Sequence, residues 1–197
     1  PSCGSDVFHE EGDVGYFCYS PFCDAQLKAK VAHFVQKSAM NITGMGRKLA
    51  DRLVDEGYIR SLTDLYTLPM NELITLDNFG ERSVRQLSAQ LDASRSVSFD
   101  RFLFALGIPF VGKRSAQILA EKFGNLDVLR RADYDALCAL HEIGDKIAES
   151  VCRYMASDET ITLFDQFEAL GFSWDLEVLD RSHLPLHSQS FLFTGKL

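Results

Sequence analysis

Between residues 28 and 170, apolar positions recur at helical spacing, and the runs are short and cut by glycine or proline. Pro69, Gly107 with Pro109, and Gly171 are the clearest breaks. Aligning this stretch on glycine exposes a repeat: Gly46, Gly80, Gly112 and Gly144 lie 34, 32 and 32 residues apart. An apolar residue precedes each glycine (Met45, Phe79, Val111, Ile143). A small or β-branched residue follows at the fourth position (Ala50, Val84, Ala116, Ala148), and an aliphatic one at the seventh (Leu53, Leu87, Leu119, Val151). Offsets of four and seven share one helix face. The pattern therefore predicts four helices, each opened by a glycine and each burying the same register. Residues 1–27 show no such period, 173–188 read as a linker, and Ser190–Thr194 with Gly195 reads as the start of a strand.

Charge changes the picture. The chain carries 28 acidic and 20 basic residues in 197, a net charge of −8. That argues against nucleic-acid binding by bulk charge but leaves locally placed cations open. Such placement exists: the second position after each repeat glycine is Lys48, Arg82, Arg114 and Lys146. The first position is mixed, with Arg47 and Lys113 but also Glu81 and Asp145. A helix dipole disfavours cations at its N-terminus, so this column is expected to meet an external anion. A glycine turn entering a helix offers free amides and close approach, and with an adjacent cation it makes a phosphate cradle. Such cradles hold a duplex by its backbone and read no bases. A helical bundle with glycine caps and solvated Lys and Arg is the plainer alternative for any one copy.

The cysteines divide unevenly. Cys3, Cys18 and Cys23 crowd one end, and Cys138 and Cys152 fall on apolar helix faces, where core packing is expected. Three thiols on short loops among Gly4, Gly12, Gly15 and Pro21 suit a structural zinc site, since so short a segment cannot build its own core. Zinc takes four ligands; the fourth is either a residue just ahead of Pro1, giving Cys-Pro-Ser-Cys, or His9. His33, His141, His183 and His187 show no ligand or triad spacing and are expected to be solvated or capping. Phe99, Phe102 and Phe104 read as core, and Phe172 and Trp174 as packing where the helices meet the linker.

The first turn, Ile42-Thr43-Gly44-Met45-Gly46-Arg47-Lys48-Leu49-Ala50, resembles the helix-hairpin-helix motif. The later copies replace its first glycine by Asn78, Phe110 and Glu142. Asn tolerates positive φ, whereas Phe and Glu resist it, so the third and fourth turns depart from the pattern. The order of parts resembles the C-terminal half of bacterial NAD-dependent DNA ligases. The matching residues are Pro1-Ser2-Cys3-Gly4-Ser5-Asp6, Cys18 to Gln26, His33-Phe34, Ala39 to Gly46, Arg101 to Ile108 with Val111-Gly112, and Phe193-Thr194-Gly195-Lys196-Leu197. The last of these is similar to the opening of a BRCT domain.

The resemblance implies an intact enzyme that seals nicks in duplex DNA during replication and repair. A lysine in a Lys-x-Asp-Gly motif is adenylated by NAD, with magnesium, and AMP passes to the 5′-phosphate before the 3′-hydroxyl displaces it. No Lys-x-Asp-Gly occurs here. The chain is therefore expected to lack catalytic residues and an NAD site, and to grip nicked duplex DNA, mostly across the minor groove. Gly44, Gly46, Gly80, Gly112 and Gly144 are the expected phosphate-facing turns, with Arg47, Lys48, Arg82, Lys113, Arg114 and Lys146 as supporting cations. The expected fold is mainly α: a zinc finger over 1–27, four helix-hairpin-helix repeats over 28–172, a linker over 173–188 and a truncated BRCT start over 189–197. The expected context is a monomer in the bacterial cytoplasm, nucleoid-associated, with adenylation and OB-fold domains upstream in the same chain. The absence of an initiating Met fits a piece of that larger protein. Alternatives are a helix-hairpin-helix module of another repair protein and a helical protein-interaction scaffold, the latter favoured by the acidic net charge.

Overall fold

A computed structural model describes residues 2–9, 15–18, 20, 23–74 and 79–174. Asn78, the linker beyond Trp174 and the expected strand at 189–197 lie outside the described residues. The chain opens with a two-stranded antiparallel ladder, β1 (Val7–His9) against β2 (Tyr16–Cys18), in the register Val7↔Cys18 and His9↔Tyr16. Helix α1 (Asp24–Val35) begins directly after Cys23, ahead of the boundary expected at residue 27.

The other described residues are mostly helical, as their periodicity predicts. Helix α1 packs on α2 (Arg47–Asp55), α3 (Met70–Leu73) on α4 (Glu81–Ser94), α5 (Phe99–Ala105) on α6 (Lys113–Phe123), and α8 (Tyr134–Cys138) on α9 (Asp145–Met155). Helix α7 (Leu126–Arg130) follows α6 and packs against it. Helix α10 (Asp158–Ala169) closes the array, lying on α9 and on a single 3-10 turn at Thr63–Thr67.

One core runs through all of these elements. The predicted inner positions are sealed: Ala50, Leu53, Leu87, Ala116, Leu119 and Ala148 have no exposed surface. At its centre an aromatic cluster joins distant helices, with Phe102 edge-on to Phe167 (5.2 Å between centroids) and Phe34 stacked on Phe167 (5.9 Å). Trp174 lies 3.9 Å from Phe102 by ring centroid, so the segment after α10 is held against α5. The Arg95 guanidinium donates to the Leu170 carbonyl and pins the same segment. Truncating a fully buried ring such as Phe102 to Ala costs about 3–5 kcal/mol.

Of the two roles expected for His33, the structure shows capping: the half-buried ring donates from Nε2 to the Phe104 carbonyl in the last turn of α5 (2.7 Å), which leaves Nδ1 to accept from the Gln36 amide (2.9 Å). The ring also packs edge-on against Phe104 and ties α1 to α5. Arg101 reinforces the joint by donating to the carbonyls of Ala39 and Lys37.

Candidate nucleic-acid interface

Helices α2, α4, α6 and α9 start in the same way. Gly46, Gly80, Gly112 and Gly144 occupy the N-cap position with φ between −72° and −94° and ψ near 160–180°. Any residue adopts that extended conformation, so backbone strain does not explain glycine here. Nor does crowding: a Cβ built on any of the four meets nothing within 4 Å. No side chain caps these helices. Three other helices are capped in the ordinary manner: Asn125, Asp133 and Ser157 accept from the amides of Val128, Ala136 and Thr160. The four repeat helices thus leave the amides of their first two residues without a side-chain cap and with no methyl in the way, while the third amide is taken up in α4 and α9, where Ser83 and Ile147 donate to the Gly80 and Gly144 carbonyls at 2.9 and 3.0 Å.

The residue two before Gly46, Gly112 and Gly144 does need a special conformation. Gly44 has φ +98°, and Phe110 and Glu142 follow it into positive φ, at +64° and +72°. The reluctance of Phe and Glu is overridden because the flanking apolar residues are anchored. Ile108 and Val111 are buried around Phe110, and Ile143 is buried beside Glu142. The turn geometry of the first copy therefore recurs in the third and fourth.

The expected cations are all exposed, but their engagement differs. Lys48, Arg82 and Lys146 make no hydrogen bond or ion pair among the described residues, leaving their charges available. Arg47 stands 3.9 Å from Asp51, and the Lys113 ammonium lies 5.7 Å from the centre of the Phe104 ring. Arg114 is engaged: it donates to both carboxylate oxygens of Glu142 at 2.7–3.2 Å. That pairing holds the Glu142 carboxyl below its ordinary range. Glu81 and Asp145 place acids at the first turn of α4 and α9, and Asp145 accepts from the Tyr134 hydroxyl at 3.0 Å.

Side-chain bonds bring the turns together in twos. Thr43, in the first turn, donates to Gln90 of α4 at 2.7 Å. Ser150 of α9 donates to the Pro109 carbonyl in the third turn at 2.7 Å, alongside the Arg114–Glu142 pair. Turn one is thereby linked to the second helix pair, and turn three to the fourth.

At the other end, the Sγ atoms of Cys3, Cys18 and Cys23 all lie within 4.8 Å of one another, with Cys3 and Cys18 3.5 Å apart. Thiolates around a tetrahedral zinc at about 2.3 Å sit about 3.8 Å apart, so the spacing fits such an ion. The Ser5 hydroxyl and amide bond to Cys3 and lower its thiol to about 6. His9 is not part of this group; it pairs with Tyr16 across the ladder, with ring centroids 5.2 Å apart.

Comparison with known proteins bears on this geometry. A helix-hairpin-helix motif model matches residues 101–164, and a SAM-like helix-hairpin-helix tandem model matches residues 37–93. DNA ligase of Halalkalibacterium halodurans is 39% identical over the whole chain, and that of Macrococcus caseolyticus 36%. DNA ligase of Limosilactobacillus reuteri is 41% identical over 88% of the chain. The chain is homologous over its length to part of these DNA ligases. It spans about 30% of the length of the first two ligases and 26% of the third.

Within this segment, the sequence singled out the glycines and cations as candidates but not the contacts that fix the turns. Thr43, Gln90, Ser150 and Glu142 act across 28 to 47 residues of chain, and no local pattern marks them. No helix among the described residues is long and apolar enough to cross a membrane.

Proposed function

We propose that this chain is the non-catalytic, DNA-gripping part of an NAD-dependent DNA ligase that joins 5′-phosphate and 3′-hydroxyl ends at nicks. Its glycine turns would hold the sugar–phosphate backbone of nicked duplex without reading sequence. The observation that carries this reading is the contrast among helix starts. Four begin at bare glycines with exposed cations nearby, three others are closed by their own side chains, and α1, α3 and α5 also lack a side-chain cap but start at Cys23, Pro69 and Ser98, so the glycine with its cation is what sets the four apart. A phosphate oxygen accepting from the open amides would satisfy them, and Lys48, Arg82 and Lys146 would add charge-assisted contacts. The lack of a Lys-x-Asp-Gly motif in the 197 residues supports assigning adenylation to other parts of the enzyme.

Cys3, Cys18 and Cys23 would hold a structural zinc, with a fourth ligand from outside the described residues. Zinc there would cross-link the ladder to the start of α1, since Cys18 ends β2 and Cys23 precedes α1.

Charge reversal tests the grip. K48E with R82E removes two cations that the fold does not use, so the thermal midpoint should stay unchanged. Affinity for nicked duplex should fall at least about tenfold. Unchanged affinity in a folded double variant would reject phosphate gripping and favour a protein-binding scaffold.

A further inference from the structure

Phe110 stands where the first turn has Gly44, and the fold gives it no reason to be phenylalanine. Its φ of +64° is one that an L side chain adopts under strain, and the residue is 65% exposed. An exposed ring adds little to the core, and glycine would relieve the strain. The turn that carries it is nevertheless held firmly. Ser150 fixes the Pro109 carbonyl, the Val111 amide donates to the Ile108 carbonyl at 3.0 Å, and Arg114 bonds to Glu142 next door. The result is a rigid tip presenting an aromatic ring to solvent, two residues from the open N-cap at Gly112 and three from Lys113.

We propose that Phe110 is a minor-groove contact: its ring packs against the apolar deoxyribose wall while the adjacent Gly112 turn takes a phosphate. This rests on the reading that the third turn faces duplex DNA. The chemistry is complementary. Phosphates line the groove edge, and the sugars just inside it present C–H faces. Proteins that enter this groove commonly use apolar side chains beside basic ones. Backbone amides and cations serve the rim, and a held aromatic ring serves the wall. The fourth turn has Glu142 in the same position, already bonded to Arg114, so among the described turns the third supplies the apolar contact.

The test is F110G, with F110Y as the conservative control, on the full chain with nicked duplex. Glycine is unstrained at this φ, so F110G is expected to fold at least as stably as the parent. The expected result is about tenfold weaker binding with the salt dependence unchanged, because the number of phosphates held is the same. F110Y should keep most of the affinity. Unchanged affinity in F110G overturns the proposal. So does weaker binding with a shallower salt dependence, which would make the ring a support for cations. If the parent chain binds DNA without salt dependence, the grip itself fails, an outcome distinct from either F110G result.

Discussion

The two glycines of the first turn should fail in opposite ways when each is replaced by alanine. Gly44 sits at φ +98°, where an L side chain is strained, and its Cβ would meet nothing within 4 Å. Gly44→Ala therefore costs the left-handed penalty alone, about 1–2 kcal/mol of stability. Gly46 sits at φ −72° and ψ 162°, and its Cβ would also enter open space. Gly46→Ala exchanges a fair N-cap for a poor one, a loss of up to about 1 kcal/mol. It also gains about 0.4–1 kcal/mol from the stiffer unfolded chain. The net change in stability should be under about 1 kcal/mol. The methyl group stands where an approaching phosphate needs room, however. The double variant G46A/G112A should bind nicked duplex at least about tenfold more weakly while remaining folded. Urea unfolding and fluorescence anisotropy on the same samples separate the two effects. A loss above about 2 kcal/mol in G46A, or parental affinity in G46A/G112A, refutes the assignment of the second glycine to ligand approach.

Other outcomes follow from individual contacts. Glu142→Gln removes a negative charge beside two cradles while keeping one acceptor for Arg114, so affinity for duplex DNA should rise severalfold; filter binding showing a decrease would contradict the gain expected from the lost charge. Because Arg114 lowers the folded-state Glu142 carboxyl, the pair supports the fold above the ordinary carboxylate range. That support is lost as pH falls through the lowered value, and E142Q should lack this acid-side dependence in a pH series of thermal midpoints. Burial raises Tyr154 to about 12 and also raises Tyr66. Their stabilising share is complete below about pH 10 and fades as pH rises toward the folded-state values, so Y66F should flatten the alkaline loss seen by urea unfolding. Zinc content measured per chain should drop to background in C23S, with thermal stability of the helical part little changed.

The register of the helices was readable because it is local. A glycine, a buried partner four residues on and another at seven are short-range facts, and Leu53, Leu87, Leu119 and Val151 are all buried as the spacing requires. The clustering of Cys3 with Cys18 and Cys23 was also readable, because short loops bring their ends together cheaply. The conformations of Phe110 and Glu142 were not. Local preference opposes positive φ by about 1–2 kcal/mol, and the anchoring of Ile108, Val111 and Ile143 outweighs it. That His33 caps α5 could not be told from the sequence, because its partner, the Phe104 carbonyl, is 71 residues away. The pairing of Arg114, expected as a supporting cation, was not legible because nothing near it in sequence reveals Glu142, 28 residues on.

The central claim is that open helix starts and their cations hold phosphates, and the salt dependence of binding measures it most directly. Affinity of this chain for nicked duplex should be determined by anisotropy from 50 to 200 mM salt. With about four phosphates engaged, it should fall about 150-fold across that range, equally for unrelated sequences. Affinity that is flat with salt, or that differs tenfold between sequences, contradicts the account.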